Sequence, residues 1–408
     1  LGALAVLLLL GAAAKAQPVP AGAPLTLADA LARAEAVAPE LRLGTAAVTR
    51  AAAQRASAGI LDPTEFFVGV DNAPTLSGDL GDVETSLGVG QAVRPPAYYR
   101  AQRGAATALL EQVEVERGSL VRGVRVRAAL AYLDAVGARE RLALADSAVA
   151  VAATFARASA RRQELGDANA LEPLQAQVAL AEAERERSEA AGRSAAAEAT
   201  LRTLLALGQA EPLALADTLA LGPEPDSAAV LEARLAGVNP DLAAAEAAIR
   251  VAEAERRAVR AERLPAFSGE FALQSVGGGF GYVGARVGIA IPLARLANDG
   301  PDRAAEAAVA VAEAERDRLT TGLVVEVRGR LAGLQAARAQ ALLYTGTLVP
   351  QAERAYALAL ALRREGAASY LEVLQAQTAL IETRAAAVEA RLTGARLRAE
   401  LDALTAAF

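Results

Sequence analysis

The side chains able to do chemistry are few and mostly of one kind. The chain has 408 residues, with 48 Asp and Glu against 42 Lys and Arg, and no cysteine, histidine, methionine or tryptophan. Lys15 is its only lysine. Without Cys or His there is no Ser-His-Asp triad, no Cys-His nucleophile and no metal site built on those ligands. The carboxylates remain, and two recur in step. Glu172 and Glu372 lie 200 residues apart, each followed three residues later by a glutamine, Gln175 and Gln375. Paired acids can hydrolyse glycosides, but they need a pocket, and aromatics make up only 3% of the chain. The reading is not an enzyme, with no cofactor. The other use of these acids is structural: 169–172 and 369–372 both read as capping boxes, in which Glu satisfies backbone donors at a helix start.

Two other signals are weaker. Gly279-Phe280-Gly281-Tyr282-Val283-Gly284 fits a dinucleotide fingerprint, whose mechanism requires a strand before it and a helix after it. Strand-like sequence follows instead, so with Gly277 and Gly278 it reads as a tight hairpin turn. The net charge of −6, with arginines interleaved among glutamates, gives no basic field for nucleic acid.

The elements that position these residues begin after a leader. Residues 4–10 form an apolar run ahead of Ala14-Lys15-Ala16, which reads as a signal peptide over 1–16 and places the mature chain outside the cytoplasm. The run is too short to span a bilayer, and no later segment reads as a membrane helix.

The mature chain is written twice. Gly166 precedes Leu171-Glu172-Pro173-Leu174-Gln175-Ala176-Gln177, and Gly366 precedes Leu371-Glu372-Val373-Leu374-Gln375-Ala376-Gln377, at an offset of 200. Val37-Ala38-Pro39-Glu40-Leu41 matches Val238-Asn239-Pro240-Asp241-Leu242 at an offset of 201. Two matches in order indicate a duplication, with repeats 17–222 and 223–408 forming one integrated domain. Each repeat reads as helix, hairpin, then long helices. Helix is expected over 26–57 and 227–263, then over 97–165 and 303–364, then over 169–207 and 369–405. Glycines and Pro350 interrupt the middle stretch, which would otherwise reach about 100 Å at 1.5 Å per residue. Alanine-rich helices this long suggest close-packed coiled coils.

The hairpins, at about 65–94 and 266–292, follow a period-two code. Phe66, Val68 and Val70 alternate with Glu65, Gly69 and Asp71, although Phe67 breaks the polar row; Leu87 and Val89, Phe271 and Leu273, and Val287 and Ile289 alternate with polar or small residues. Each strand runs about 9 to 12 residues, enough to cross a bilayer at a tilt. Eight of the 14 aromatics lie in or beside these strands, as interfacial girdles would require. These apolar residues are therefore expected to face lipid, and Arg286 and Gly288 the lumen. Four strands cannot close a barrel, and an open sheet cannot sit in lipid, so at least two chains must combine. The alternative is a soluble sheet on a periplasmic coiled-coil scaffold or adaptor protein without a membrane barrel.

The duplication, the hairpin placement and the repeated Gly-x-x-x-x-Leu-Glu-x-Leu-Gln-Ala-Gln pattern resemble the TolC-like outer-membrane efflux family. The stretch from Pro292-Leu293 to Asn298-Asp299-Gly300 looks closest to its heavy-metal, CzcC-type branch. The resemblance implies a mainly α fold with membrane β. Long periplasmic helices would form an α-barrel, and a homotrimer would close a twelve-stranded β-barrel in the outer membrane of a Gram-negative bacterium. It implies a passive duct for small solutes or metal ions, joined to a periplasmic adaptor (a membrane fusion protein) and an inner-membrane pump of RND type. On the same ground Glu172, Gln175, Glu372 and Gln375 match the periplasmic entrance. The family pattern has a second acid where the two glutamines stand here. Leu165, Gly166, Asp167, Glu365, Gly366 and Ala367 match the adaptor-docking tips. No soft ligand is present to hold a metal in passage.

Overall fold

The computed structural model describes residues 24–71, 84–165, 171–208, 211–276 and 279–405. Helices α1 (Leu27–Val37) and α2 (Pro39–Ser57) lead to strands β1 (Glu65–Asp71) and β2 (Glu84–Val93), then to α3 (Pro96–Glu164) and α4 (Leu171–Leu204). The second repeat gives α5 (Ala228–Val238), α6 (Pro240–Ala261), β3 (Ala266–Val276), β4 (Gly279–Ala290), α7 (Leu293–Ala297), α8 (Gly300–Leu343), α9 (Val349–Arg364) and α10 (Tyr370–Leu404).

The differences from expectation have local causes. The single helices expected over 26–57 and 227–263 are each broken at the duplicated motif, where Pro39 and Pro240 take the first helical position. Proline has no N–H to give the preceding turn and biases the residue before it to extended backbone. Asn239 accordingly caps α6, its side chain accepting from the backbone of Asp241 and Leu242 at 2.9 and 3.2 Å. The glycines do not interrupt α3, which runs unbroken for 69 residues. The corresponding stretch in the second half of the chain is interrupted, by a π-helical turn at Tyr344–Leu348 just ahead of Pro350. One stretch of α3 is long and apolar enough, by length and composition, to cross a membrane, which corrects the expectation that none beyond the leader is.

The described residues divide into two compact units, one drawn from 24–41, 121–238 and 323–405 and the other from 42–120 and 239–322; each takes segments from both halves of the chain. The first unit is a helical body. Its core gathers Ala30 and Ala34 of α1, Ala128, Tyr132 and Val136 of α3, Leu201 of α4, and Val388 and Leu392 of α10. Small side chains let the helices approach: a Cβ on Gly137 would lie 2.8 Å from the Leu392 side chain. The segment between the repeats is strapped to this body. The buried Tyr132 hydroxyl donates within reach of the Leu25 carbonyl and the Asp217 carboxylate, at 2.8 and 2.7 Å. Arg139 donates to the carbonyls of Leu215 and Asp217, and Arg391 to that of Leu219.

The second unit carries the sheet. Its four strands lie in the order β1-β2-β3-β4, all antiparallel, with β2 of the first hairpin against β3 of the second. The register aligns Phe66, Val89, Phe271 and Ala285 in one row, and Val68, Leu87, Leu273 and Val283 in the next. Residues directly opposite across a ladder share a face, so the large apolar side chains form one continuous face. The other face is mostly glycine, serine, alanine and charge, including the Arg286–Glu270 pair at 3.0 Å, with Phe67 and Tyr282 as its aromatic members. Gly88 is required there: a Cβ would meet the Phe67 ring and stand 2.7 Å from the Phe271 carbonyl oxygen.

Candidate functional site

Two regions combine exposure, charge and geometry beyond what folding needs. The first is the apolar face of the sheet. Val287 is 85% exposed, Phe66 82% and Val68 70%, values that large hydrophobic side chains rarely reach on a soluble surface. Val70, Leu87, Phe271, Leu273 and Ile289 are exposed with them, while Val89 is half-buried. Val283, which belongs to the same row as Leu273, is exposed as well. The face therefore extends across all four strands, and β1 and β4 have no outer partner among the described residues. Gly288 pairs with Ser268 on the opposite face, next to the Arg286–Glu270 pair. The glycine-rich 279–284 stretch is the start of β4, with no helix after it for a pyrophosphate.

The second region is where the long helices turn. The two duplicated glutamates, alike in sequence, differ in what they hold. Glu372 closes a capping box at the start of α10: its carboxylate accepts from the backbone N–H and hydroxyl of Ser369 at 2.6 and 2.9 Å, and the Ser369 hydroxyl accepts from its N–H. These hydrogen bonds from Ser369 hold its pKa below the usual carboxylate value. Glu372 and Gln375 are exposed. Glu172 is enclosed, its side chain only 16% exposed, and one oxygen accepts from Arg162 of α3 at 3.0 Å and Arg363 of α9 at 2.6 Å. Through Arg363 it ties the first half of the chain to the second, and Gln175 is half-buried beside it on α4. Asn169, the cap expected for α4, lies outside the described residues.

The surroundings of Glu172 form a cleft of about 430 Å³ lined by Phe155, Ser159, Arg364 and Tyr370 among others. Tyr370 stands edge-on to Phe155 at 6.1 Å, and burial, with the Glu172 charge nearby, raises its phenol pKa. Sequence reading missed Arg162 and Arg363, because the partners lie 10 and 191 residues from Glu172.

Of the expected docking tips, Gly166 and Asp167 lie outside the described residues, and Leu165 is 70% exposed. The second tip is a Schellman turn. Gly366 N–H bonds the Arg363 carbonyl at 3.2 Å and Ala367 N–H the Leu362 carbonyl at 2.8 Å, with Gly366 at φ +76° and Glu365 closing α9. This turn selects glycine for its left-handed backbone, independently of any partner. A larger cleft, about 490 Å³, lies among Leu27, Leu31, Leu133, Leu221 and Leu334. Its ionisable groups, Arg338, Arg398 and Asp402, are engaged with the linker carbonyls of Gly222 and Pro223 and with each other.

Residues 233–407 match the outer membrane efflux protein family. No curated protein matches the chain. Among solved structures, CusC, which forms a transmembrane channel, is similar over 93% of this chain and 91% of its own, at 19% identity and TM-score 0.79. The outer-membrane channel OprN is similar over 93% and 89%, at 18% identity and TM-score 0.79. The outer membrane protein VceC of Vibrio cholerae is similar over 93% and 96%, at 20% identity and TM-score 0.76. The chain has the TolC-like fold of these channels, mainly helical with a small antiparallel sheet.

Proposed function

We propose that this chain is the outer-membrane duct of a tripartite efflux system, a passive conduit that performs no catalysis. One observation carries the reading: a four-stranded sheet with open edges, with Phe66, Val68, Leu87, Phe271, Leu273 and Val287 exposed together on one face and the charged Glu270 and Arg286 on the other. Such a sheet would aggregate in water, and it cannot enter lipid alone, because each unpaired backbone group in hydrocarbon costs several kcal/mol. Closure with the sheets of other copies satisfies both constraints. Three copies give a twelve-stranded barrel whose outward face is the apolar one and whose lumen carries Arg286, Glu270 and Gly288. The TolC-like fold and the efflux-family match over the second repeat support a location in a Gram-negative outer membrane, with the helical part in the periplasm.

The helix turns then belong to the periplasmic end. In this reading Glu172, tied to Arg162 and Arg363, holds the two repeats together at the entrance, while Glu372 supplies the entrance with its exposed negative charge. Gln175 and Gln375 add none, so cation preference is modest. The tips at Leu165–Asp167 and Glu365–Ala367 dock a periplasmic adaptor that couples to an RND-type pump. The cargo is small solutes or metal ions, the latter being what the likeness to the CzcC-type branch supports. No Cys, His or Met is present to retain a metal, which suits a conduit. Fractionation of cells expressing the chain with a leader tests the reading: recovery in outer membranes is expected, and a monodisperse soluble monomer would overturn it.

A further inference from the structure

The exposed apolar surface of the sheet-bearing unit does not stop where the sheet stops. Beyond Ile289 on β4 it continues through Ile291, Leu293 and Leu296, which are 57%, 70% and 48% exposed. The last two belong to α7, a helix of five residues with no side-chain cap. A single turn this short is unstable by itself, so something must hold it.

It is held from one side. Arg295 is 14% exposed and donates to the Asp302 carboxylate at 2.7 Å, the Asn298 carbonyl at 3.1 Å and the Val259 carbonyl of α6 at 2.9 Å. Asp302, itself 15% exposed, also takes Arg263 at 2.6 Å. On a helix, residues three apart share a face and a residue two along falls on the other side. Leu293 and Leu296 are thus presented together, opposite the anchored Arg295. The polar side of α7 is consumed inside the protein and its apolar side is left open.

A second feature marks the same level of the unit. Val93, Phe267 and Ile289 share a row at this end of the sheet. Past Val93 the chain carries Tyr98 and Tyr99, both half-buried, with the Arg94 guanidinium 4.4 Å over the Tyr98 ring and the Tyr99 hydroxyl accepting from Arg94 N–H at 2.9 Å. Tyrosine and arginine at a strand end, polar tips beside apolar rings, are suited to a headgroup boundary.

We propose that Ile291, Leu293 and Leu296 seat α7 in a phospholipid leaflet, as a rigid anchor at the end of the membrane strands. The inference rests on the reading of the sheet as a membrane sheet, and its occupant is lipid because the patch continues the face assigned to lipid. The absence of tryptophan makes it directly testable, since one introduced indole is the only one present. Leu293→Trp and Val287→Trp are placed separately in the full mature chain, reconstituted in phosphatidylcholine vesicles containing lipids brominated either near the headgroup or deep in the acyl chain. Both indoles lose emission to brominated lipid if the anchor exists, with Leu293→Trp quenched more by the shallow bromines and Val287→Trp more by the deep ones. Quenching of Val287→Trp without quenching of Leu293→Trp overturns the anchor and leaves the membrane sheet intact. An indole at 293 shielded from both bromolipid and acrylamide shows a second copy covering it, which also overturns the lipid assignment. Quenching of neither overturns the membrane sheet and the anchor with it. Leu296→Trp repeats the measurement if Leu293→Trp does not assemble.

Discussion

An arginine scan along β4 tests, in energy, whether its apolar face meets lipid. The strand has 12 residues, and at about 3.3 Å rise and roughly 40° tilt each contributes about 2.5 Å of height. By that count Val283 lies about 4 Å from the middle of the strand, Val287 about 6 Å and Ile289 about 11 Å. Arginine on the lipid face costs about 2–4 kcal/mol at the bilayer midplane and about 0–1 near the interfaces. Val283→Arg is therefore expected to cost about 3 kcal/mol, Val287→Arg about 2 and Ile289→Arg about 1 or less. Tyr282 lies beside Val283 in the chain, is 60% exposed, and pairs with Gln274 on the opposite face. Tyr282→Arg should cost almost nothing, because that face already carries Arg286. Urea titration of folding into short-chain lipid vesicles reads these differences. A cost for Tyr282→Arg larger than for Val283→Arg would show the register inverted, and equal costs at 283, 287 and 289 would show that no bilayer gradient acts on this face.

Four further outcomes follow from the helical body and its turns. Glu372→Gln should lower cation preference in single-channel recordings, while Glu172→Gln should leave preference alone and raise the frequency of opening, because it weakens the Arg162 and Arg363 ties; the reverse pattern would refute the division of roles. Glu372 has a depressed folded-state pKa, so the stability it contributes is present above the ordinary glutamate value near 4.3 and is lost as pH falls through its folded value; hydrogen exchange at the start of α10 should show local opening in that acid window, absent in Glu372→Gln. Tyr132→Phe removes a buried hydroxyl and should lower stability by about 1–3 kcal/mol in thermal unfolding. Burial raises the Tyr132 phenol above its unfolded value near 10, so its contribution is full below pH 10 and declines above it; the phenylalanine variant should lack that alkaline decline. Gly366→Ala, with open space for a Cβ but φ at +76°, should cost about 1–2 kcal/mol, seen as faster exchange at 365–369.

The strands were readable because their period of two survives in any short window. Phe66-x-Val68-x-Val70 and Val287-x-Ile289 state a face without reference to their partners, and the observed register joins those faces into one. The duplicated glutamates were also visible, but their unlike environments were not. Ser369 lies three residues from Glu372 and its box can be read locally, whereas Arg363 reaches Glu172 from the other repeat. The straps of the linker were hidden for the same reason: Arg139 and Arg391 bond backbone carbonyls, which have no sequence signature. Pro39 and Pro240 were within the matched motifs yet read as helix interior, since alanine-rich sequence on both sides masked the break. The open α7 face escaped notice because Leu293 and Leu296 look like core until the burial of Arg295 turns them outward.

If sheets from three chains close one barrel, imaging of detergent-extracted particles shows threefold symmetry, with twelve strands around a central passage at one end. Particles holding one chain or two, or a sheet capped by its own helices with its edges unpaired, would contradict it.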